Sequence, residues 1–170
     1  MGSSRSHPSV KQALLVSVVG DSGSGKTFWI ENLIPRLRAQ GFRVGVLKHA
    51  HEGFDLDKPG KDSWRYHKAG AEIVAVSSPK RAFLFFSVGK DDGLEELLQF
   101  LKRKSQIVFI EGYRAFGDWQ IRIHFKRVSS TRNCAEVSLK RVNKREVYFL
   151  PEDIALLADV VLRETLRKLD

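Results

Sequence analysis

GDSGSGKT, residues 20–27, fits the phosphate-binding pattern G-x-x-x-x-G-K-[ST], the Walker A motif. Each residue type has a physical reason. Glycines let the backbone turn with positive φ and bring its N–H groups close to an anion. A helix that follows presents free N–H groups and its positive dipole end. Lys26 is placed to reach the β- and γ-phosphates, and the Thr27 hydroxyl to hold Mg²⁺. The flanks match. Ala13 to Val19 (ALLVSVV) is a continuous apolar run suited to a strand buried on both faces. Thr27 to Gln40 carries Trp29, Ile30, Leu33, Ile34 and Leu37 at helical spacing, with Pro35 as an expected kink and Gly41 as the stop. Phe42 to Leu47 is the next strand. Strand, helix, strand is the unit of a parallel sheet with a right-handed crossover.

Downstream, Ser63 to Ala71 reads as a short helix capped by Ser63. Ile73–Ser77 and Ala82–Val88 read as strands, and Gly93–Lys104 as an amphipathic helix through Leu94, Leu97, Leu98 and Leu101. Ile107 to Ile110 is a wholly apolar strand ended by Glu111-Gly112. Ile121 to Lys126 alternates with period two, as a half-exposed strand does. Ala135–Leu139 and Val147–Leu150 are further strands, and a last helix starts near Pro151. The expected architecture is α/β: a P-loop NTPase-like, mainly parallel sheet with helices on both faces and antiparallel additions. At 170 residues one domain is expected over 13–170, after a flexible leader at 1–12.

Composition narrows the setting. The apolar fraction is 42% and the charged fraction 29%, which fits a soluble globular chain rather than a disordered one. No apolar run reaches the ~20 residues of a membrane span, and no signal peptide is visible. The only cysteine, Cys134, fits a reducing, cytoplasmic setting. The formal charge of +9 is uneven. From Lys102 to Arg145 there are twelve Lys and Arg against three acids, Glu111, Asp118 and Glu136. Such a surplus attracts polyanions, or simply guards exposed strands against edge pairing.

Strand ends supply further candidates. In a parallel sheet, Glu111 falls at the rim where the phosphate loop lies, facing the metal or its water shell. The loop HAHEGFDLDKPGKDSW, residues 49–64, leaves the second strand at the same rim. Asp55 or Asp57 is placed to approach Mg²⁺, and Lys58 or Lys61 to approach phosphate. His49 and His51 alone lack the further ligands of a zinc site. Asn143-Lys144-Arg145-Glu146 resembles the guanine-reading N-K-x-D pattern, with Glu one methylene longer. Trp64, Tyr113 and Trp119 are candidates to stack on a base or pterin.

The phosphate loop, Lys48-His49, the stretch DLDKPGKDSWRYHKAGA (Asp55 to Ala71) and the strand-end EGY (Glu111 to Tyr113) together resemble the MobB family, over about Leu14 to Phe125. These are adaptor proteins of molybdopterin-guanine dinucleotide biosynthesis. The resemblance implies a GTP-binding P-loop protein with Mg²⁺ and weak intrinsic GTPase activity. It implies a homodimer that assists the partner guanylyltransferase joining GMP to molybdopterin. The nucleotide-binding set is then Gly20, Asp21, Ser22, Gly23, Ser24, Gly25, Lys26, Thr27, Phe28 and Lys61. Lys26, Asp57 and Glu111 form the catalytic set, and Thr27, Asp57 and Glu111 the metal set. Two departures stand out: Phe28 replaces an expected second hydroxyl, and Ser105-Gln106 replaces an expected Asp before the Glu111 strand. A P-loop small-molecule kinase is the alternative, with Arg122 to Arg132 as its lid. Nucleic-acid binding has no recognisable signature in the chain.

Overall fold

The computed structural model describes residues 13–50, 53, 57–86, 93–113, 119–129, 133–139, 144–150 and 152–169. They pack as two compact units: one runs to His49 and resumes at Leu98, and the other is Ala50–Leu97.

The first unit is built on a six-stranded sheet. Its strands are β1 (Leu14–Gly20), β2 (Val44–Lys48), β5 (Ile107–Glu111), β6 (Ile121–Arg127), β7 (Asn133–Leu139) and β8 (Lys144–Leu150). The spatial order is β2-β5-β1-β6-β7-β8. The first four are mutually parallel, and β7 and β8 add antiparallel strands at one side. The expected mainly parallel sheet with antiparallel additions is therefore present. Parallel strands buried on both faces should be largely apolar: Leu14 to Val18 and Ile107 to Ile110 are all at most 3% exposed, with Ser17 the one polar residue among them.

Helices cover both faces. On one, α1 (Lys26–Ala39) and α4 (Ile154–Leu169) bury Trp29, Ile30, Leu33, Leu37, Leu157 and Val161 against alternate residues of β1, β5, β6 and β7. Trp29 is the hub: its ring meets Phe109 edge-on and Phe125 at a tilt, both at 5.8 Å between centroids. On the other face, the end of α3 (Gly93–Lys104) lies against β2. A Cβ on Gly45 would meet Leu101 Cδ2 at 3.2 Å and Ser105 Oγ at 2.7 Å, so a side chain there would displace the Leu101 and Ser105 side chains packed against the strand.

Local rules account for most boundaries, with two exceptions. Pro35 lies inside α1 without ending it. It and Glu31, whose carbonyl loses its partner, are both exposed, so solvent can reach the orphaned oxygen. Ser63 is not a cap: α2 (Asp62–Lys68) starts one residue earlier, with Lys61 as its N-cap and no side-chain hydrogen bond there. Asp62 in the first turn supplies the charge complement instead. The second unit also holds an antiparallel ribbon of β3 (Ile73–Ser77) and β4 (Ala82–Phe86). The expected leader at 1–12, residues 87–88 and the helix start at Pro151 lie outside the described residues.

At the β8 edge the Tyr148 hydroxyl donates to Glu146 Oε2 at 2.5 Å. Burial and that carboxylate push the phenol up from 10.0 to about 12. The folded chain therefore holds this proton more tightly than the unfolded one. The stabilisation is present below pH 10 and is lost as pH rises towards 12. An absorbance titration at the phenolate band will show a component near pH 12. Tyr148→Phe will remove that component and flatten the fall in stability over this range.

Candidate nucleotide-binding site

The loop after β1 takes its shape from close packing. Gly20 has φ 130°, and a Cβ there would come within 1.8 Å of the Phe125 carbonyl oxygen on β6. Only glycine lets β1 and β6 approach this closely. Gly25, at φ 97°, turns the chain into α1 as its left-handed N-cap. Between them Ser24 is buried, and its Oγ donates to the Asp21 carbonyl at 2.7 Å. The Ser24 N–H points to the same oxygen at 3.3 Å. Lys26 folds back over the loop, and its Nζ donates to the carbonyls of Gly20 at 3.0 Å and Asp21 at 2.5 Å. Ser22 and Gly23 form the exposed crest.

Parallel pairing sets Val18 opposite Glu111. The carboxylate ending β5 is 7% exposed and accepts a hydrogen bond from Thr27 Oγ1 at 3.1 Å. A hydroxyl and a carboxylate oxygen held together suit Mg²⁺, which takes hard oxygen ligands and keeps several waters and phosphate oxygens besides. Thr27 and Glu111 would hold the ion. It would supply charge neutralisation for the phosphates. Behind Glu111, the His49 N–H donates to the Glu111 carbonyl at 2.9 Å. The His49 and Tyr113 rings stand 4.3 Å apart, and burial raises the Tyr113 phenol above its ordinary range. The strand-end EGY is thus tied to the KH that ends β2.

Other expected residues fall differently. Phe28 is 60% exposed, and its carbonyl accepts from Asn32 Nδ2 at 2.7 Å. Asp57 and Lys61 belong to the second unit. Asp57 Oδ1 accepts from the Lys58 N–H at 2.9 Å, and both lysines are exposed. Asp55, His51 and Asn143 lie outside the described residues. Lys144 to Glu146 open β8, the sheet edge three strands away from β1, rather than a loop at the phosphate rim. Trp64 is met by Lys68 and Trp119 by Arg122, each cation under 6 Å from the ring centroid.

The Ser105-Gln106 departure stands at the opposite rim. Gln106 Oε1 accepts from the Arg43 N–H at 3.0 Å, and its own carbonyl accepts from Leu14 N–H at 2.8 Å. It staples the starts of β1, β2 and β5, away from the phosphate loop. Sequence reading passed over Asn133 at the start of β7. Its Nδ2 lies 4.0 Å from the place of a Cβ on Gly25. Only the β6–β7 register reveals this.

This fold and loop define an α/β protein of the phosphate-loop nucleotide-binding class. Residues 15–143 match the model of the MobB family, described as molybdopterin guanine dinucleotide synthesis protein B. The chain belongs to that family. The molybdopterin-guanine dinucleotide biosynthesis adapter protein of Haemophilus influenzae is 39% identical over 104 residues, 61% of this chain and 58% of that protein. Its counterpart in Escherichia coli is 39% identical over 105 residues, 59% of each. The chain thus matches about three fifths of the length of these relatives. Among solved structures, that of Bacillus subtilis MobB superposes with a TM-score of 0.53 at 32% identity, over 69% of each chain. A crystal structure of molybdopterin-guanine biosynthesis protein B gives 0.54 at 31% identity, over 67% of this chain and 70% of that one.

Gly20→Ala will drive a methyl into the Phe125 carbonyl and strain the left-handed turn. We expect a loss of roughly 3 kcal/mol or more of stability, read by denaturant unfolding. Gly23→Ala, where nothing lies within 4 Å of the added Cβ, will cost only the positive-φ strain.

Proposed function

We propose that this chain is a GTP-binding adaptor in molybdenum cofactor biosynthesis. It assists a partner guanylyltransferase that joins GMP to molybdopterin, with at most slow Mg²⁺-dependent GTP hydrolysis of its own. The observation that carries the reading is the Thr27–Glu111 pair at 3.1 Å, at the mouth of a preformed phosphate loop. The backbone from Gly20 to Phe28 and the Lys26 ammonium would bind the phosphates. Lys26 would neutralise the terminal phosphate, and Glu111 would orient it through the Mg²⁺ or its water shell. Asp57 as a metal ligand and Lys61 as a phosphate ligand, like the preference for GTP, the molybdopterin partner and the treatment of 13–170 as one nucleotide-binding domain, rest on the family relationship.

A homodimer is proposed as well. The β3–β4 ribbon leaves Ile73, Val76 and Leu84 exposed, at 66%, 45% and 53%. A two-stranded ribbon is marginal alone and gains from burying such residues against a second copy. A cytoplasmic location is supported by Cys134, which is free and buried. No helix among the described residues is long and apolar enough to cross a membrane.

Lys26→Ala will weaken GTP binding about a hundredfold in a calorimetric titration, because a charged hydrogen-bond donor to phosphate is lost. Equal affinity for GTP in the variant would reject the assignment, and preference for ATP in competition would reject the guanine reading. In sedimentation velocity, Ile73→Asp with Leu84→Asp will convert a dimer to a monomer that still binds nucleotide.

A further inference from the structure

Arg122 and His124 alternate along β6 with the core residues Ile121, Ile123 and Phe125. Both therefore project from the sheet face opposite α1 and α4. The parallel register sets Arg122 beside Ser17 and His124 beside Val19. Where these strands end, a cleft of about 320 Å³ opens, lined by Val19, Gly20, Asp21, Arg122 and His124. It shares Gly20 and Asp21 with the phosphate loop and so adjoins it.

The chemistry of the lining points to an anion. The Arg122 guanidinium lies 5.6 Å from the Trp119 ring centroid, a contact that restrains a fork of donors matched to phosphate oxygens. The His124 imidazole adds a second polar nitrogen two residues along. Ser17, cross-strand from Arg122 on the same face, is fully buried, and its hydroxyl has no hydrogen-bond partner among the described residues. Asp21 is the acidic member of the lining and is exposed at the rim. Across the sheet, Glu136 pairs in register with His124, but it is engaged by Lys126 Nζ at 2.8 Å and by Arg145 at 3.8 Å. The cleft's size is at the low end of ligand pockets, about 300–1,000 Å³. That is room for a phosphate head and part of what it is attached to.

We infer that this cleft is a second anion site, taking the phosphate monoester of an organic co-ligand beside the nucleotide's triphosphate. The inference rests on the nucleotide reading above and adds a place for the other reactant. A dinucleotide joins two phosphate esters through a pyrophosphate, so the non-nucleotide half brings a phosphate monoester. A site one loop away from the triphosphate would hold the two anions near each other.

The test loads the full chain with a saturating non-hydrolysable GTP analogue and Mg²⁺, then measures uptake of radiolabelled inorganic phosphate by equilibrium dialysis. One phosphate per chain is expected beyond those of the nucleotide. Arg122→Ala and His124→Gln will each weaken phosphate binding about tenfold while leaving analogue affinity unchanged. Arg122→Lys, which keeps the charge and stem but loses the fork, will fall between and guards against misfolding of the alanine variant. No phosphate uptake by the loaded protein overturns the inference. So do equal losses of phosphate and analogue affinity, which would make the cleft part of the triphosphate site. If the analogue fails to bind while phosphate is still held through Arg122, the nucleotide reading falls and the cleft stands.

Discussion

The parallel pairing of β1 with β5 is the constraint on which the site depends. With Val18 opposite Glu111, the last carboxylate of β5 and the first turn of α1 meet at one rim. Antiparallel pairing would send the Glu111 end to the opposite edge of the sheet. A slip by one residue would turn the Glu111 side chain to the other face. The register is itself fixed by burial. Ile107 to Ile110 are fully buried, and a shift inward would carry the Glu111 carboxylate into their place, at the cost of burying an unpaired charge.

Much of this was legible because the signals are local. The phosphate loop, the apolar runs of β1 and β5, the period-two pattern of β6 and the bounds of α3 all follow from residues adjacent in the chain. Glu111 was placed by one general fact, that parallel strands end at a common rim. What escaped depends on partners far apart in sequence. The cleft at Arg122 and His124 exists because β6 pairs with β1, about a hundred residues earlier. Nothing in IRIHFK shows which strand will lie beside it. The stretch Lys144 to Glu146 misled in the opposite sense. Its residue types suit a guanine loop, but the run of β8 places them at a distant sheet edge, with Glu146 bound by Tyr148. The Ser63 cap failed for a smaller reason: an acidic residue one position earlier serves the helix start equally well.

The basic surplus between Lys102 and Arg145 also resolves into parts. Lys102, Arg103 and Lys104 close α3, where cations complement the helix dipole. Lys126 and Arg145 share Glu136 across the sheet, and the Lys126 ammonium holds that carboxylate below its usual range. Pairs this exposed contribute little stability. Arg122 and His124 instead line the cleft that shares Gly20 and Asp21 with the phosphate loop.

The approach of Gly20 to Phe125 has a mechanical consequence. With no room for even a methyl between them, the loop's first residue is seated directly on the backbone of β6. Phe125 is in turn seated on Trp29 of α1. A displacement of β6 would therefore carry the start of the phosphate loop and its helix with it. Any give that admits a guest must come from the crest at Ser22 and Gly23 or from side chains swinging at the rim.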